Sequence, residues 1–203
     1  GNALLALNRA AEAAASYRQS LVLDADDAEA NFNYALCLLA QGDYAAGWPL
    51  YEWRWLNQPL ARSRRDFGVP QWDGRQPLEG RTILLHAEQG FGDTLQFCRY
   101  VAMAVARGAR VILEVPAPLR ALMASLDGVA EVRVQGEILP PFELQCPLLS
   151  LPLAFGTTLE SVPAAVPYLR AEPARVAHWR SVLGASSRPR IGLVWSGTVA
   201  PGR

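Results

Sequence analysis

The stretch RTILLHAEQGFGDTLQFCRY, residues 81–100, decides the fold class of this chain. TILLHA, residues 82–87, is a short apolar run of the kind that fills a buried parallel strand. From 94 to 108 apolar residues recur at helical spacing, and a glycine ends the predicted helix. Between strand and helix lie two glycines around Phe91, followed by the carboxylate of Asp93. A glycine-rich turn between a strand and a helix is where α/β proteins bind ligands.

Strand-like and helix-like segments go on alternating after this stretch, which predicts a doubly wound parallel sheet with helices on both faces. The further predicted strands are RVILEV (110–115), EVRV (131–134), FELQC (142–146) and RIGLVWSG (190–197). The further predicted helices are PLRALMASLDG (118–128), LLSLPLAFG (148–156) and ARVAHWRSVLG (174–184).

The segment 1–56 carries an internal period of 34. ALLALNRAAEAAASY (3–17) aligns with CLLAQGDYAAGWPLY (37–51), so that small residues such as Ala13 and Gly47 recur where two helices approach closely. The aligned pairs are Leu4 with Leu38, Leu5 with Leu39, Ala6 with Ala40, Ala13 with Gly47 and Tyr17 with Tyr51. A helical hairpin of this period resembles the tetratricopeptide repeat. DADDAEA (24–30) is expected to supply the turn and the N-terminus of the next helix, which either Asp26 or Asp27 caps.

Two uses of these repeats remain open: packing against the next domain, or a concave surface that binds a protein partner. Residues 57–80 hold three prolines and three glycines and predict an irregular connector. Five aromatic residues gather around it, and we interpret them as a hydrophobic seam between domains. They are Trp48, Trp53, Trp55, Phe67 and Trp72.

Composition excludes several classes of function. The 19 basic and 19 acidic residues give a net charge of zero. The composition therefore lacks the excess of basic residues that is typical of nucleic-acid-binding proteins. Cys37, Cys98 and Cys146 are odd in number and set in apolar contexts, so reduced thiols and a cytoplasmic location are expected. No apolar run approaches the ~20 residues of a transmembrane helix.

The glycine turn fails the tests for nucleotide-binding motifs. Gly90 and Gly92 match the first two glycines of G-x-G-x-x-G, and Glu114 stands where an acid for the ribose would lie. The third position is Leu95, which would hold helix and strand apart. Asp93 would repel a pyrophosphate at the helix N-terminus. A P-loop is excluded because no G-K-[ST] follows.

Two uses remain open for the carboxylate of Asp93. It caps the helix by accepting backbone N–H bonds, or it acts as a general base at the mouth of a cleft. Capping lowers the pKa of a carboxyl group, which weakens a base unless a closed site removes its water.

The 81–100 stretch, together with ILPPFELQCPLLSLPLAFGTT (138–158), VPYLRAEP (166–173) and RIGLVWSG, resembles bacterial proteins in which tetratricopeptide repeats precede a heptosyltransferase-like glycosyltransferase. YEWRW (51–55) and WDG (72–74) are similar to the connector of that family. The resemblance implies a GT-B fold, in which two Rossmann-like halves face each other across a cleft. It assigns repeats to 1–56, the connector to 57–80 and the acceptor-side half to 81–203.

The resemblance also implies residue roles. Asp93 is expected to be the base that deprotonates the acceptor hydroxyl, and Gly90 and Gly92 to let the backbone approach the substrate. Glu88 and Gln89 are expected to contact the acceptor, with Phe91 and Thr94 completing the substrate-binding set. His86 is expected to point into the packed sheet. No cofactor and no metal are implied.

The family continues after GLVWSG with a donor-binding domain, whereas this chain reads TVAPGR and stops. The nucleotide-sugar donor is therefore expected to bind mainly to a domain outside these residues, and the chain alone is expected to be inactive. The acceptor is left open as glycan, lipid or protein. The alternative from another class is a non-catalytic repeat scaffold with a degenerate Rossmann half.

Overall fold

Strands and helices alternate in the second half of the protein. The computed structural model describes residues 1–58 and 60–193. The α-helices are α1 Asn2–Ala6, α2 Ala10–Leu23, α3 Ala28–Ala40, α4 Tyr44–Tyr51, α5 Phe91–Phe97, α6 Tyr100–Ala106, α7 Arg120–Met123, α8 Leu151–Ala154 and α9 Pro173–Leu183. The strands are β1 Thr82–His86, β2 Arg110–Val115, β3 Val129–Val134 and β4 Leu144–Pro147.

The four strands form one parallel sheet in the order β3-β2-β1-β4. Strand β1 lies at the centre of the pairing: His86, its last residue, stands opposite Glu114 of β2 and Pro147 of β4. Ile83, Leu84 and Leu85 are fully buried, as expected of a strand with neighbours on both sides. The predicted α/β class with a parallel sheet is confirmed.

The four N-terminal helices pack as successive hairpins whose boundaries repeat. Helices α1 and α3 end at Ala6 and Ala40, and α2 and α4 begin at Ala10 and Tyr44, so both boundaries recur at the period seen in the sequence. The predicted cap is confirmed for Asp27, whose carboxylate accepts the Ala30 N–H at 3.0 Å.

The second hairpin packs into the same core as the sheet. A Cβ atom on Gly47 would lie 2.7 Å from Cδ2 of Leu39, so glycine is what lets α4 approach α3 so closely. The indole of Trp48 meets Phe97 of α5 edge to face, with ring centroids 6.1 Å apart. The aromatic seam expected between helices and sheet is therefore present at this position.

The connector is irregular, as predicted, apart from a 3₁₀ turn at Leu60–Ser63. Trp72 is fully buried, and its indole donates to the Gln76 carbonyl at 2.9 Å. Gly74 has φ +91°, and a Cβ there would lie 1.9 Å from the Ala154 carbonyl oxygen. Only glycine allows the connector to lie this close to α8.

Two local predictions were wrong. The single helix predicted over 94–108 is divided into α5 and α6, because the Val101 N–H bonds the Cys98 carbonyl three residues back at 3.1 Å and tightens the chain. The strand predicted over 190–197 is absent over 190–193, where the chain has no regular structure; 194–197 lie outside the described residues.

Residues Gly1–Arg170 form one compact unit, and a second unit begins at Ala171. The second unit contains α9, and its residues 171–193 are exposed. Residues 171–193 contain no strand. The predicted boundaries at 56 and 80 stay a prediction.

Cys37, Cys98 and Cys146 are buried free thiols. Within residues 1–58 and 60–193, none of the helices has the length and apolar character needed to cross a membrane.

Candidate functional site

The candidate site lies at the carboxyl end of the sheet, where the strand order reverses between β1 and β4. In open parallel sheets ligands bind in the crevice outside the carboxyl ends of the strands at such a reversal. The turn after β1 carries the predicted site residues, and the segment after β4 begins at Leu148.

Asp93 is fixed at the first turn of α5, which begins at Phe91 rather than at the predicted Thr94. Its Oδ2 accepts the Gly90 N–H at 3.0 Å, and the Thr94 hydroxyl donates to the Gly90 carbonyl at 3.1 Å. A Cβ on Gly90 would stand 3.3 Å from Asp93 Oδ2, a close contact that a small shift of the Asp93 side chain would relieve.

The capping role of Asp93 is therefore observed. Within the described residues Oδ1 of Asp93 has no hydrogen-bond partner, so one oxygen of the carboxylate is free for a substrate. A Cβ placed on Gly92 would meet nothing within 4 Å, so the space beside this turn is open.

The residues predicted to bind substrate differ in their exposure to solvent. Gly90, Phe91 and Gly92 are exposed, and Phe91 is 51% exposed despite being a large apolar residue. Thr94 is buried. Gln89 donates from Nε2 to the Tyr51 hydroxyl at 3.1 Å, which ties the turn to α4.

Glu88 belongs to a group of four side chains, which we call the charge cluster: the buried Arg54, Glu88 and Ser150, and the partly exposed Glu52. The fully buried Arg54 guanidinium contacts Glu52 Oε1 at 2.6 Å, Glu88 Oε1 at 3.2 Å and Ser150 Oγ at 2.7 Å. The same Glu88 oxygen accepts the Leu149 N–H at 3.2 Å. The cluster thus joins the end of the helical hairpins to the turns after β1 and β4.

Burial raises the pKa of Glu88 to about 7, although Arg54 opposes the shift. Its second oxygen, Oε2, is buried and has no hydrogen-bond partner in the described part of the chain. A carboxyl group with this pKa exchanges a proton near neutral pH. The structure places it against Arg54, with the side chain 1% exposed, and not at the open turn.

His86 is buried, as predicted, and its Nε2 lies 2.9 Å from Gln145 Oε1 of β4. Burial lowers its pKa to about 4, so the ring is neutral at pH 7.

Two cavities flank this region. One of about 500 Å³ lies beside the Asp93 turn and is lined by Gly92, Trp48, Phe97, Arg99 and Tyr168, among others. The other, of about 590 Å³, lies between the connector and the ends of β1 and β4. Both volumes fall in the range of small-molecule sites. In the described residues no three His, Cys, Asp or Glu side chains are grouped to hold a metal ion.

Sequence reasoning missed Arg54 as part of the site. The signal was a single arginine among aromatic residues in YEWRW, and its partners lie 34 and 96 residues away along the chain. No local period connects such positions.

Comparison with known proteins gives a relative but no family. No family model matches the chain, and no solved structure matches it. The chain is 28% identical over 191 residues to the protein named Protein FlbA of Caulobacter vibrioides, in an alignment that covers 84% of this chain and 32% of FlbA. The chain therefore spans about a third of the length of that relative, whose name states no activity.

Proposed function

We propose that this protein is the acceptor-side half of an inverting, repeat-bearing GT-B glycosyltransferase, with Asp93 as the general base. The observation that carries the proposal is the position of Asp93: its carboxylate lies at the turn beyond β1, next to the reversal of strand order, with Oδ1 free. This is where a parallel sheet of this kind binds its ligand.

The chemistry assigned to Asp93 is one proton transfer. The acceptor O–H donates to Oδ1 and loses its proton as its oxygen attacks the anomeric carbon of the sugar. The bond to the nucleotide diphosphate breaks, and the leaving group takes the electron pair. The nucleotide-sugar itself is assigned to a donor-binding domain outside these residues, as in the resembling family.

The helical hairpins support the repeat part of the proposal. Their boundaries recur at the same period as the sequence, and this period is that of a tetratricopeptide repeat. Ala13 is fully buried, and Gly47, its counterpart, allows the close approach of α4 to α3. Packing of the second hairpin on the sheet favours the intramolecular role for this repeat, and leaves earlier repeats free for a protein partner.

The sheet supports the Rossmann-like part. The order β3-β2-β1-β4 is that of the first four strands of the doubly wound dinucleotide-binding fold. In our proposal the charge cluster positions the turn: Arg54 holds Glu88 on one side, and Asp93 follows at the start of α5.

The decisive experiment is Asp93→Asn in the complete natural protein that contains these residues. Transfer is followed as nucleotide release from a panel of UDP-, GDP-, ADP- and CMP-sugars, with extracts of the source cells as acceptor. An amide keeps an oxygen for the cap but does not take a proton, so turnover should fall at least ~100-fold.

The matched control is Asp43→Asn, which alters a carboxylate cap at the start of another helix: Asp43 is the N-cap residue of α4 and accepts the Ala46 N–H at 3.2 Å. It should leave turnover unchanged. Unchanged turnover in Asp93→Asn would reduce Asp93 to a cap. If no nucleotide-sugar is consumed by the wild-type protein, the non-catalytic scaffold becomes the better account.

A further inference from the structure

The cavity of about 500 Å³ beside the Asp93 turn, which we call the aromatic cavity, is walled mainly by aromatic rings. Its walls come from α4, from α5 and the start of α6, and from the segment 162–168, all within the compact unit Gly1–Arg170. Asp93 itself does not line it. The aromatic lining residues are Tyr44, Trp48, Phe97, Tyr100 and Tyr168.

Three of these rings are partly exposed, those of Tyr44, Trp48 and Tyr168, whereas Phe97 and Tyr100 are buried. Trp48 meets Tyr44 edge to face with ring centroids 5.8 Å apart, and Phe97 stacks on Tyr100 with centroids 6.2 Å apart. Rings that support one another in this way form rigid walls. A further ring is the group that such walls hold best, since aromatic rings favour stacked and edge-to-face contacts.

Arg99 is the only charged side chain among the described residues that line the aromatic cavity. Its guanidinium carbon lies 4.0 Å from the centroid of the Tyr168 ring, and its Nη1 donates to the Pro163 carbonyl at 3.1 Å. The Tyr168 hydroxyl donates in turn to the Leu95 carbonyl at 3.1 Å, so the ring beneath the guanidinium is fixed. Within residues 1–58 and 60–193 no carboxylate forms an ion pair with Arg99.

One nitrogen atom of Arg99 remains available to a ligand. Nη2 donates to none of the described residues and, unlike Nε, is not buried. A partly buried guanidinium without a counterion favours a ligand that brings a negative charge. The planar guanidinium matches both carboxylate and phosphate. A phosphate monoester carries a charge of about −1.5 to −2 at pH 7, however, so a carboxylate balances the single positive charge of this lining better.

We propose that the aromatic cavity is a binding site for a small aromatic carboxylate. The ligand ring packs against Tyr44, Trp48 and Tyr168, and the ligand carboxylate accepts from Nη2 of Arg99. Because these side chains are already held by one another, little conformational entropy is lost on binding. The site goes beyond the proposed function, since it requires neither a nucleotide-sugar nor a transfer step.

The test is a titration of the protein with naphthoate and with naphthamide, which has nearly the same shape and no charge. Binding is measured by saturation-transfer NMR on the ligand, and the Trp48 indole N–H resonance is followed by two-dimensional NMR and assigned with Trp48→Phe. Naphthoate should bind saturably and shift this resonance, because a bound ring changes the ring current at Trp48. Naphthamide should bind ~10-fold more weakly, the loss expected for one charge-assisted hydrogen bond.

Arg99→Gln should weaken naphthoate ~10-fold and leave naphthamide unchanged, which separates the loss of the charge from any loss of the fold. Arg107→Gln is the matched control, because the Arg107 guanidinium also contacts a ring, that of Phe155 at 4.6 Å, but does not line the cavity. This variant should bind both ligands like wild type.

The absence of saturable naphthoate binding would overturn the proposal, as would an equal loss of both ligands in Arg99→Gln. Octanoate or UMP binding more tightly than naphthoate would overturn it too, in favour of an acyl or a nucleotide site. The titrations contain no sugar donor and do not depend on Asp93→Asn, so this site and the proposed transferase fail or stand separately.

Discussion

The charge cluster and the Asp93 turn adjoin one another in sequence, yet they are built in opposite ways. The cluster removes Arg54 and Glu88 from water and gives the guanidinium three side-chain partners. The turn leaves Phe91 and Gly92 exposed and uses one oxygen of Asp93 for a single backbone contact. One region holds segments far apart in sequence together, and the other keeps a carboxylate accessible.

The difference separates a buried region that contributes to stability from an exposed turn to which our proposal assigns the chemistry. Removing a partner from a buried ion pair leaves an uncompensated charge, which costs far more than changing an exposed group. A functional carboxylate needs support that does not occupy it. In our proposal that support is the cluster, whose member Glu88 precedes the turn. The predictions below test this division.

The largest effect is expected for Arg54→Met, which keeps an unbranched apolar stem and removes the guanidinium and its charge. Glu52 and Glu88 lose their counterion, so the free energy of unfolding at pH 8 should fall by about 3–5 kcal/mol. Urea unfolding followed by tryptophan fluorescence measures the change.

Arg62→Met is the control for Arg54→Met, since Arg62 is exposed on the connector. It should change the free energy of unfolding by no more than ~0.5 kcal/mol. Equal losses in the two variants would show that the cluster does not hold the helices to the sheet.

A smaller and pH-dependent effect is expected at Glu88. Its pKa is raised from 4.5 to about 7 in the folded protein, so the folded state holds a proton that the unfolded chain releases. The stability that this proton contributes is complete below pH 4.5 and is lost as the pH rises to about 7. The loss is on the order of 3 kcal/mol, at ~1.4 kcal/mol per pKa unit.

Glu88→Gln lacks this titration. The free energy of unfolding of wild type minus that of Glu88→Gln should therefore decrease between pH 5 and pH 8, measured by urea unfolding at several pH values. A difference that stays flat, or that increases with pH, would contradict the burial-driven shift. Arg54→Met should move the midpoint of the wild-type profile upward, because Arg54 lowers the pKa of Glu88.

The sequence predicted the features that depend on residues close together in the chain, and missed those that depend on residues far apart. The strand TILLHA, the helix ends that recur at the repeat period and the cap at Asp27 follow from neighbouring residues, and all are present. The break between α5 and α6 was missed because the apolar run 94–108 continues through Cys98 without proline or an internal glycine. A tertiary contact accompanies the break: Arg99 Nη1 donates to the Pro163 carbonyl at 3.1 Å.

The candidate site was predictable only in part, for the same reason. The local pattern of strand, glycines and carboxylate located Asp93, and the structure puts it beyond the carboxyl end of β1. Whether Glu88 faces a ligand or the interior is decided by Arg54 and Leu149, which come from segments far from it in sequence.

The smallest effect on stability is expected for Asp93→Ala. Losing one helix cap costs about 1 kcal/mol. Asp43→Ala on α4 also removes one carboxylate–backbone contact at a helix start, made there by the N-cap residue itself. Urea unfolding should give similar values for the two variants, while our proposal expects only Asp93→Ala to lower transfer in the complete natural protein. A loss at Asp93 several times larger than at Asp43 would mean that the turn is itself part of the structural core. In that case the division between a buried support and an accessible carboxylate would fail, since one residue would carry both stability and chemistry.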